Sequence, residues 1–340
     1  MFSSKKYRAA KVLCLFCALI ICTAYVSGAV YRGGKASIYT GSDGKSYIKW
    51  VDFDITEAAL ADAVCLGIKS HEEGKDFGMT QLLAYLGAKY GGDFSRYKKA
   101  DMEVAYAALS DDPACFDEMK YYSYYHEAYD AVLSGWLGEY SLYEKNDGGY
   151  TYTEKYGLKV FSPIAYGFCY SDYDDFGASR SFGYRRRHLG HDMLGSIGTP
   201  IIAMESGYVE AVGWNRYGGW RIGIRSFDGK RYYYYAHLRR NHPYCDMYEG
   251  KIVTAGEVIG YLGMTGYSSE ENKNNINVPH LHVGLQLIFD ASQKDGTNQI
   301  WIDMYEITNF LSKYRSKVYY DKEKSEYYAV NPITDFSIPD

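Results

Sequence analysis

Trp220-Arg221-Ile222-Gly223-Ile224-Arg225, then Asp228-Gly229, then Arg231-Tyr232-Tyr233-Tyr234-Tyr235-Ala236 is the stretch that decides the fold class. Aromatic and β-branched residues favour extended backbone, and an Asp-Gly pair between two such runs signals a tight hairpin turn. The neighbouring segments read the same way. Ile201 to Met204 and Tyr208 to Trp214 are strand candidates, and Gly256, Gly260, Gly263 and Gly266 punctuate further short strands and turns. Together they predict a mostly antiparallel β unit from about Lys159 to Phe289.

Upstream the apolar period is close to four rather than two. Leu60, Val64 and Ile68 repeat on one helix face, with Asp54 and Glu57 as an expected capping pair. Met79 to Leu86 and Met102 to Leu109 are shorter helix candidates. Tyr121, Tyr125, Tyr129, Val132 and Trp136 form the longest apolar stripe, a core face. The helical pattern extends to about Tyr143, and Glu144 to Gly149, polar and glycine-containing, is the expected linker. Asp303 to Lys313 predicts a last helix, followed by a loose polar tail. The fold class is therefore α+β, an N-terminal helical domain followed by a mostly antiparallel β domain. The expected units are residues 1–30 (leader), 46–147 (helical), 157–292 (β) and 293–340 (helix and tail).

A length of 340 residues suits about two domains with ample core. The formal net charge of -5 gives no support for nucleic acid as a partner, and no nucleic-acid-binding signature is present. The 39 tyrosines would suit carbohydrate stacking, but half-buried strand and helix faces account for them more simply. Lys5, Lys6, Arg8 and Lys11 precede an apolar run from Val12 to Val30, the pattern of an export signal. Ser27-Gly28-Ala29 resembles a cleavage site, while the run approaches the ~20 residues that span a bilayer. Both fates stay open: membrane association through an uncleaved segment, or secretion after cleavage. Either places the working part outside the cytoplasm. Beyond that run only Cys65, Cys115, Cys169 and Cys245 remain, without a CxxC pair, which excludes a cysteine-rich zinc site and leaves disulfides open.

His188-Leu189-Gly190-His191-Asp192 and His280-Leu281-His282 carry the chemistry. Both spacings are even, so in extended backbone each set can point into one cavity. Three N/O ligands with an open fourth position are how a catalytic zinc site is built. Spacing alone does not say which histidine of the second pair ligates.

Further elements surround these two in a fixed order. Phe182-Gly183-Tyr184-Arg185 precedes them, and Gly198-Thr199-Pro200, Ala203 and Gly207-Tyr208-Val209 follow the first. Next come Tyr235-Ala236-His237-Leu238 and Gly260-x-x-Gly263-x-Thr265-Gly266-x-Ser268. With them the β domain resembles the M23 (lysostaphin/LytM-like) zinc metallopeptidases over roughly 130 residues. The resemblance implies a LytM-like fold and a zinc (Zn2+) ion on His188, Asp192 and His282. It also implies His237 and His280 as the catalytic pair beside the reacting water, and peptidoglycan peptide as substrate. Of the two imidazoles His280 is the first choice for general base and His237 for positioning the water and stabilising the oxyanion, with the roles open to being shared or exchanged. The implied activity is a zinc endopeptidase of wall remodelling or sporulation. The alternative is a non-catalytic wall-binding scaffold or amidase activator, but such relatives lose ligands and none is lost here.

The remaining candidates have plainer readings. His191 falls on the opposite strand face, a supporting or surface residue, and His242 lies in a loop. His126 is structural and His71 ends a helix. Arg185, Arg186 and Arg187 form a solvated edge or meet stem carboxylates, and Asn272, Asn274, Asn275 and Asn277 rim the cleft or simply form a polar loop. Only Arg186 and Arg187 separate the FGxR element from the first ligand, so the groove wall there is short.

Overall fold

The computed structural model describes residues 53–182, 184–294 and 298–339, together with the backbone of Ile38–Thr40 paired to Ser46–Ile48. The leader read from residues 1–30 lies outside the described residues. Four helices come first: α1 (Glu57–Glu72), α2 (Met79–Tyr90), α3 (Lys99–Asp111) and α4 (Tyr122–Leu133). Leu60 and Val64 of α1 and Tyr125, Tyr129 and Val132 of α4 are buried, as their spacing predicts, whereas Ile68 is half-buried and Tyr121, left-handed just before α4, is exposed rather than part of the core face. The cap of α1 differs from expectation. Thr56 rather than Asp54 accepts from the Ala59 amide, at 3.4 Å, because it stands directly before the first helical residue.

Helical structure ends at Leu133, short of the predicted Tyr143. Two ten-residue strands follow, β1 (Leu137–Asn146) and β2 (Gly149–Leu158), paired from Leu137↔Leu158 to Asn146↔Gly149. The expected linker is therefore a hairpin tip. Asp147-Gly148 closes a turn, and the flanking polar residues belong to an exposed two-stranded arm whose alternation is too weakly apolar to register as strand.

The site sheet is assembled from β3 (His191–Gly195), β5 (Gly207–Asn215), β6 (Gly219–Ser226), β7 (Arg231–Ala236), β9 (His280–Leu287) and β10 (Ile300–Ile302). Its order is Ile252–Val253, β5, β6, β7, β9, β3, Tyr170–Ser171, every pairing antiparallel, with β10 also on β9. β4 (Pro200–Ile202) pairs with β8 (Val258–Tyr261) beneath it. Leu281, Val283, Leu285 and Leu287 alternate into the core, which leaves His280, His282, Gly284 and Gln286 on the other face.

After the sheet come α5 (Tyr305–Leu311), β11 (Val318–Asp321), β12 (Glu326–Ala329) and β13 (Ile333–Asp335). The tail is not loose: β11 pairs with β12, and β13 adds to β1. The apolar core runs without interruption from Phe53 and Leu60 through Trp136 to Ile222, Leu285 and Phe310. All four cysteines among the described residues are free thiols.

Candidate metal centre and its cleft

Register builds the centre. β9 pairs with β3 so that His282 lies directly opposite Asp192, and paired residues share a face. His188, just before β3, is pinned by two backbone bonds: its amide donates to Ala178 at 2.8 Å and its carbonyl accepts from Gly177 at 2.7 Å. Gly190 explains the middle of the HxGxD motif. A Cβ there would stand 2.5 Å from the His282 ring and 2.8 Å from the Val283 carbonyl, so only glycine lets that ring reach its place. As a result one donor atom from each of His188, Asp192 and His282 lies within 4.8 Å of the others. His188 Nε2 is 3.1 Å from Asp192 Oδ1 and 3.0 Å from His282 Nδ1, and the last two are 2.9 Å apart.

The hydrogen bonds behind the donors fix their electronic state. His188 Nδ1 faces Asp175 Oδ1 at 2.9 Å, and Arg180 bridges Asp175 to Asp192 Oδ2, 3.1 Å away. A neutral His188 that donates from Nδ1 to Asp175 keeps its lone pair on Nε2, aimed at two other electron-pair donors. Such convergence is repulsive unless a metal cation, or in its absence a proton, sits among the three. A tetrahedral metal with bonds of about 2.0–2.1 Å has donor–donor edges of roughly 3.3 Å, close to the spacing observed. The donor set therefore suits a divalent ion. Burial opposes the charge on Asp192, but hydrogen bonds to His188 and His282 outweigh it and hold the carboxyl far below its usual range. Burial likewise opposes protonation of His188, yet Asp192 and Asp175 keep that imidazole above its ordinary value, whereas His282 is lowered chiefly by burial.

His237 and His280 complete the ring of imidazoles. His237 follows β7 in a left-handed conformation (φ 63°), its amide donating to Gly218 at 2.7 Å and its Nδ1 facing the Thr265 carbonyl at 2.9 Å. His280 Nδ1 faces the Val278 carbonyl at 2.8 Å, with Nε2 3.7 Å from Asp192 Oδ1. The two rings are 4.8 Å apart, centroid to centroid. A carbonyl oxygen only accepts, so each Nδ1 carries the proton and each Nε2 a lone pair. Burial, reinforced by the neighbouring imidazoles, pushes His237 well below its normal pKa, which keeps it neutral.

A pocket of about 700 Å³ opens in front of this centre, lined by His188, His237, His282, Tyr217, Tyr234 and Trp301 among others. Residues 186–295 match the sequence profile of Peptidase family M23. The chain carries an M23 peptidase domain. The L-Ala–D-Glu endopeptidase of Bacillus subtilis (strain 168) is 42% identical over 116 residues, 34% of each chain. Lysostaphin of Staphylococcus simulans is 38% identical over 96 residues, 28% of this chain and 17% of that one. The match thus spans about a third or less of these curated relatives. A crystal structure described as a candidate glycyl-glycine endopeptidase lytM from Ruminococcus gnavus ATCC 29149 superposes with a TM-score of 0.55 at 21% identity. It covers 79% of this chain and 92% of that one, so the shared fold extends well beyond the M23 domain.

Within the M23 domain, the remaining sequence candidates take other roles. His191 is not at the surface: it is buried, with Nε2 2.9 Å from Asp172 and its ring edge-on to Tyr305. His242 is exposed and pairs with Glu326. In the helical part, His71 stacks on Tyr156 and His126 on Tyr122. Asn272 binds Trp220 and Asn241, and Asn275 binds the Tyr267 carbonyl, so these amides hold the rim together. Arg187 is exposed at the cleft edge, while the side chains of Arg185 and Arg186 lie outside the described residues. Sequence reading passed over Asp175 and Arg180. The acidic cluster Asp172, Asp174 and Asp175 ahead of the first ligand motif was the available signal.

Proposed function

We propose that this protein is an exported, zinc-dependent endopeptidase that hydrolyses peptide bonds of bacterial peptidoglycan in wall remodelling or sporulation, with residues 157–292 as its peptidase unit. The observation that carries the reading is the convergence of His188, Asp192 and His282 donors within 4.8 Å, beside two imidazoles whose Nδ1 protons are already committed. A non-catalytic scaffold would have no use for all five groups. The names of the B. subtilis and staphylococcal relatives support the substrate class. Export rests on the basic-then-apolar leader and on where that substrate lies; among the described residues no helix is long and apolar enough to cross a membrane.

His188 Nε2, Asp192 Oδ1 and His282 Nδ1 would hold the zinc, which when bound polarises a carbonyl and acidifies water. His280 is the general base. Its Nε2 lone pair faces the centre, takes a proton from the attacking water and returns it to the leaving amine. His237, kept neutral by burial, accepts a hydrogen bond from the same water and orients it. Donation from its Nε2 to a developing oxyanion would require the protonated ring that burial disfavours.

Purified protein should bind about one zinc per chain and release peptide fragments from cell-wall sacculi. His280→Ala should retain the metal and lose at least roughly 100-fold in hydrolysis, and His188→Ala should weaken metal binding itself. Metal content by plasma emission and fragment release by mass spectrometry check both. Digestion of sacculi by both variants at the parent rate would overturn the assignment.

A further inference from the structure

The pocket does not end at the metal centre, and its far part has a chemistry of its own. Along β7 and β9 the floor continues from His282 past Tyr234 and Gly284 to Tyr232 and Gln286, roughly 13 Å of extended backbone. Gly284 leaves room for the Trp301 ring, since a Cβ there would stand 2.7 Å from it. Trp301 meets Tyr234 edge-on at 6.4 Å, and the Tyr232 phenol lies across Gly223. Arg221 precedes Gly223 by two residues on β6, so its side chain rises from the same face and lines the same cavity, half-buried.

Among the described residues, two of the other basic side chains that line this cavity are held by carboxylates. Arg180 is held by Asp175 and Asp192. Lys294 is paired with Glu210, whose other oxygen accepts from Arg225 Nε at 2.6 Å. No carboxylate among the described residues pairs with Arg221; the groups that feel its charge are the phenols of Tyr232 and Tyr244. A guanidinium drawn partly out of water without an anion is unfavourable, and its planar fork is shaped for a carboxylate. Ile222 pairs with Tyr235 and Ala236 with His282, so Arg221 stands two strands, roughly 10 Å, from the centre. That distance is about three residues of extended peptide.

We propose that Arg221 is a specificity residue that binds a free carboxylate of the substrate within about three residues of the scissile bond, selecting acidic peptides over neutral ones. The inference rests on the peptidase reading above. The test uses the zinc-loaded full chain and two probes: the γ-linked stem peptide L-Ala–D-Glu–L-Lys–D-Ala with an amidated C-terminus, and the same peptide with the glutamate carboxylate converted to carboxamide. Wild type should prefer the acid form by roughly 10- to 100-fold in kcat/KM and in Kd by calorimetry. Arg221→Gln should bring both ratios close to one, and Arg221→Lys should keep part of each, since charge remains while the fork is lost. Equal treatment of the two peptides by wild type, or an undiminished ratio in a folded Arg221→Gln, would overturn the proposal. Should Arg221→Gln fail to fold, the wild-type and Arg221→Lys ratios decide. If neither peptide is cut but the calorimetric ratio persists and depends on Arg221, the carboxylate site stands and the peptidase reading falls.

Discussion

At the residue scale, Asp175 shows how much of the proposed metal centre lies behind its three donors. Its Oδ1 is 2.9 Å from His188 Nδ1 and its Oδ2 contacts Arg180, which reaches on to Asp192, so two of the three donors are oriented through it. A carboxylate behind a ligating imidazole fixes tautomer and ring orientation and raises donor strength. Asp175→Ala should therefore lower metal affinity roughly 10- to 100-fold in a chelator competition while leaving the thermal unfolding of the metal-free protein nearly unchanged. Unaltered affinity would show that His188 is oriented by its backbone bonds alone. The five candidate residues were legible as members of short motifs, but which histidine of the HxH pair ligates, and the part taken by His237, came only from the family resemblance. Asp175 was not, because it lies 13 residues from His188 and reaches it through a chain reversal that no periodicity announces.

At the element scale, the strands that read clearly were those with one buried and one open face. Arg231–Ala236 is a strand with the bounds its sequence suggests, and Asp228-Gly229 closes the hairpin before it. The arm β1–β2 and the tail strand β13 were illegible for the opposite reason: their polar, tyrosine-rich residues contribute little apolar alternation, and β13 takes its place from a partner strand nearly 200 residues away in sequence. What fixes that three-stranded unit is a buried ion pair, Lys159 Nζ to Asp335 Oδ1 at 2.6 Å, in which Ser337 also donates to the carboxylate. Burial opposes the charge on Asp335, but Lys159 and Ser337 outweigh it and depress the carboxyl below its usual range. Because the folded pKa is below the unfolded value of about 3.9, the pair's stabilisation is complete above that pH and is lost as pH falls through the folded pKa. Asp335→Asn leaves a buried ammonium without its anion and should cost about 3 kcal/mol at pH 7. In urea unfolding the gap between variant and parent should shrink below about pH 4. A gap independent of pH would mean that packing around residue 335, not its charge, is at stake.

At the scale of the whole molecule, the division into helical and β parts visible in the sequence is a change of secondary structure inside one continuous core. Trp136, at the end of the helices, stacks on Phe310 of α5, 6.1 Å between centroids. Arg231 of β7 reaches back to the Ala131 carbonyl at 3.0 Å and Ser134 at 2.8 Å while it pairs with Glu205, and the Glu57 amide donates to Glu306 at 2.7 Å. β1 supplies the strand that both β2 and β13 pair with. A protein shortened to residues 150–340 would lose that strand, uncover the apolar surface beneath α1 and α4, and strip Arg231 of two of its hydrogen-bond acceptors. Removing buried partners on this scale exceeds the margin by which domains are stable. The fragment should either bind a hydrophobic dye and melt without cooperativity, or unfold at least about 10 °C below the parent. Its zinc affinity should fall in step, because Arg231 begins the strand that ends beside His237. Cooperative melting at the parent temperature with unchanged metal binding would instead show that the helices are an accessory layer, dispensable to the centre and free to serve a role of their own.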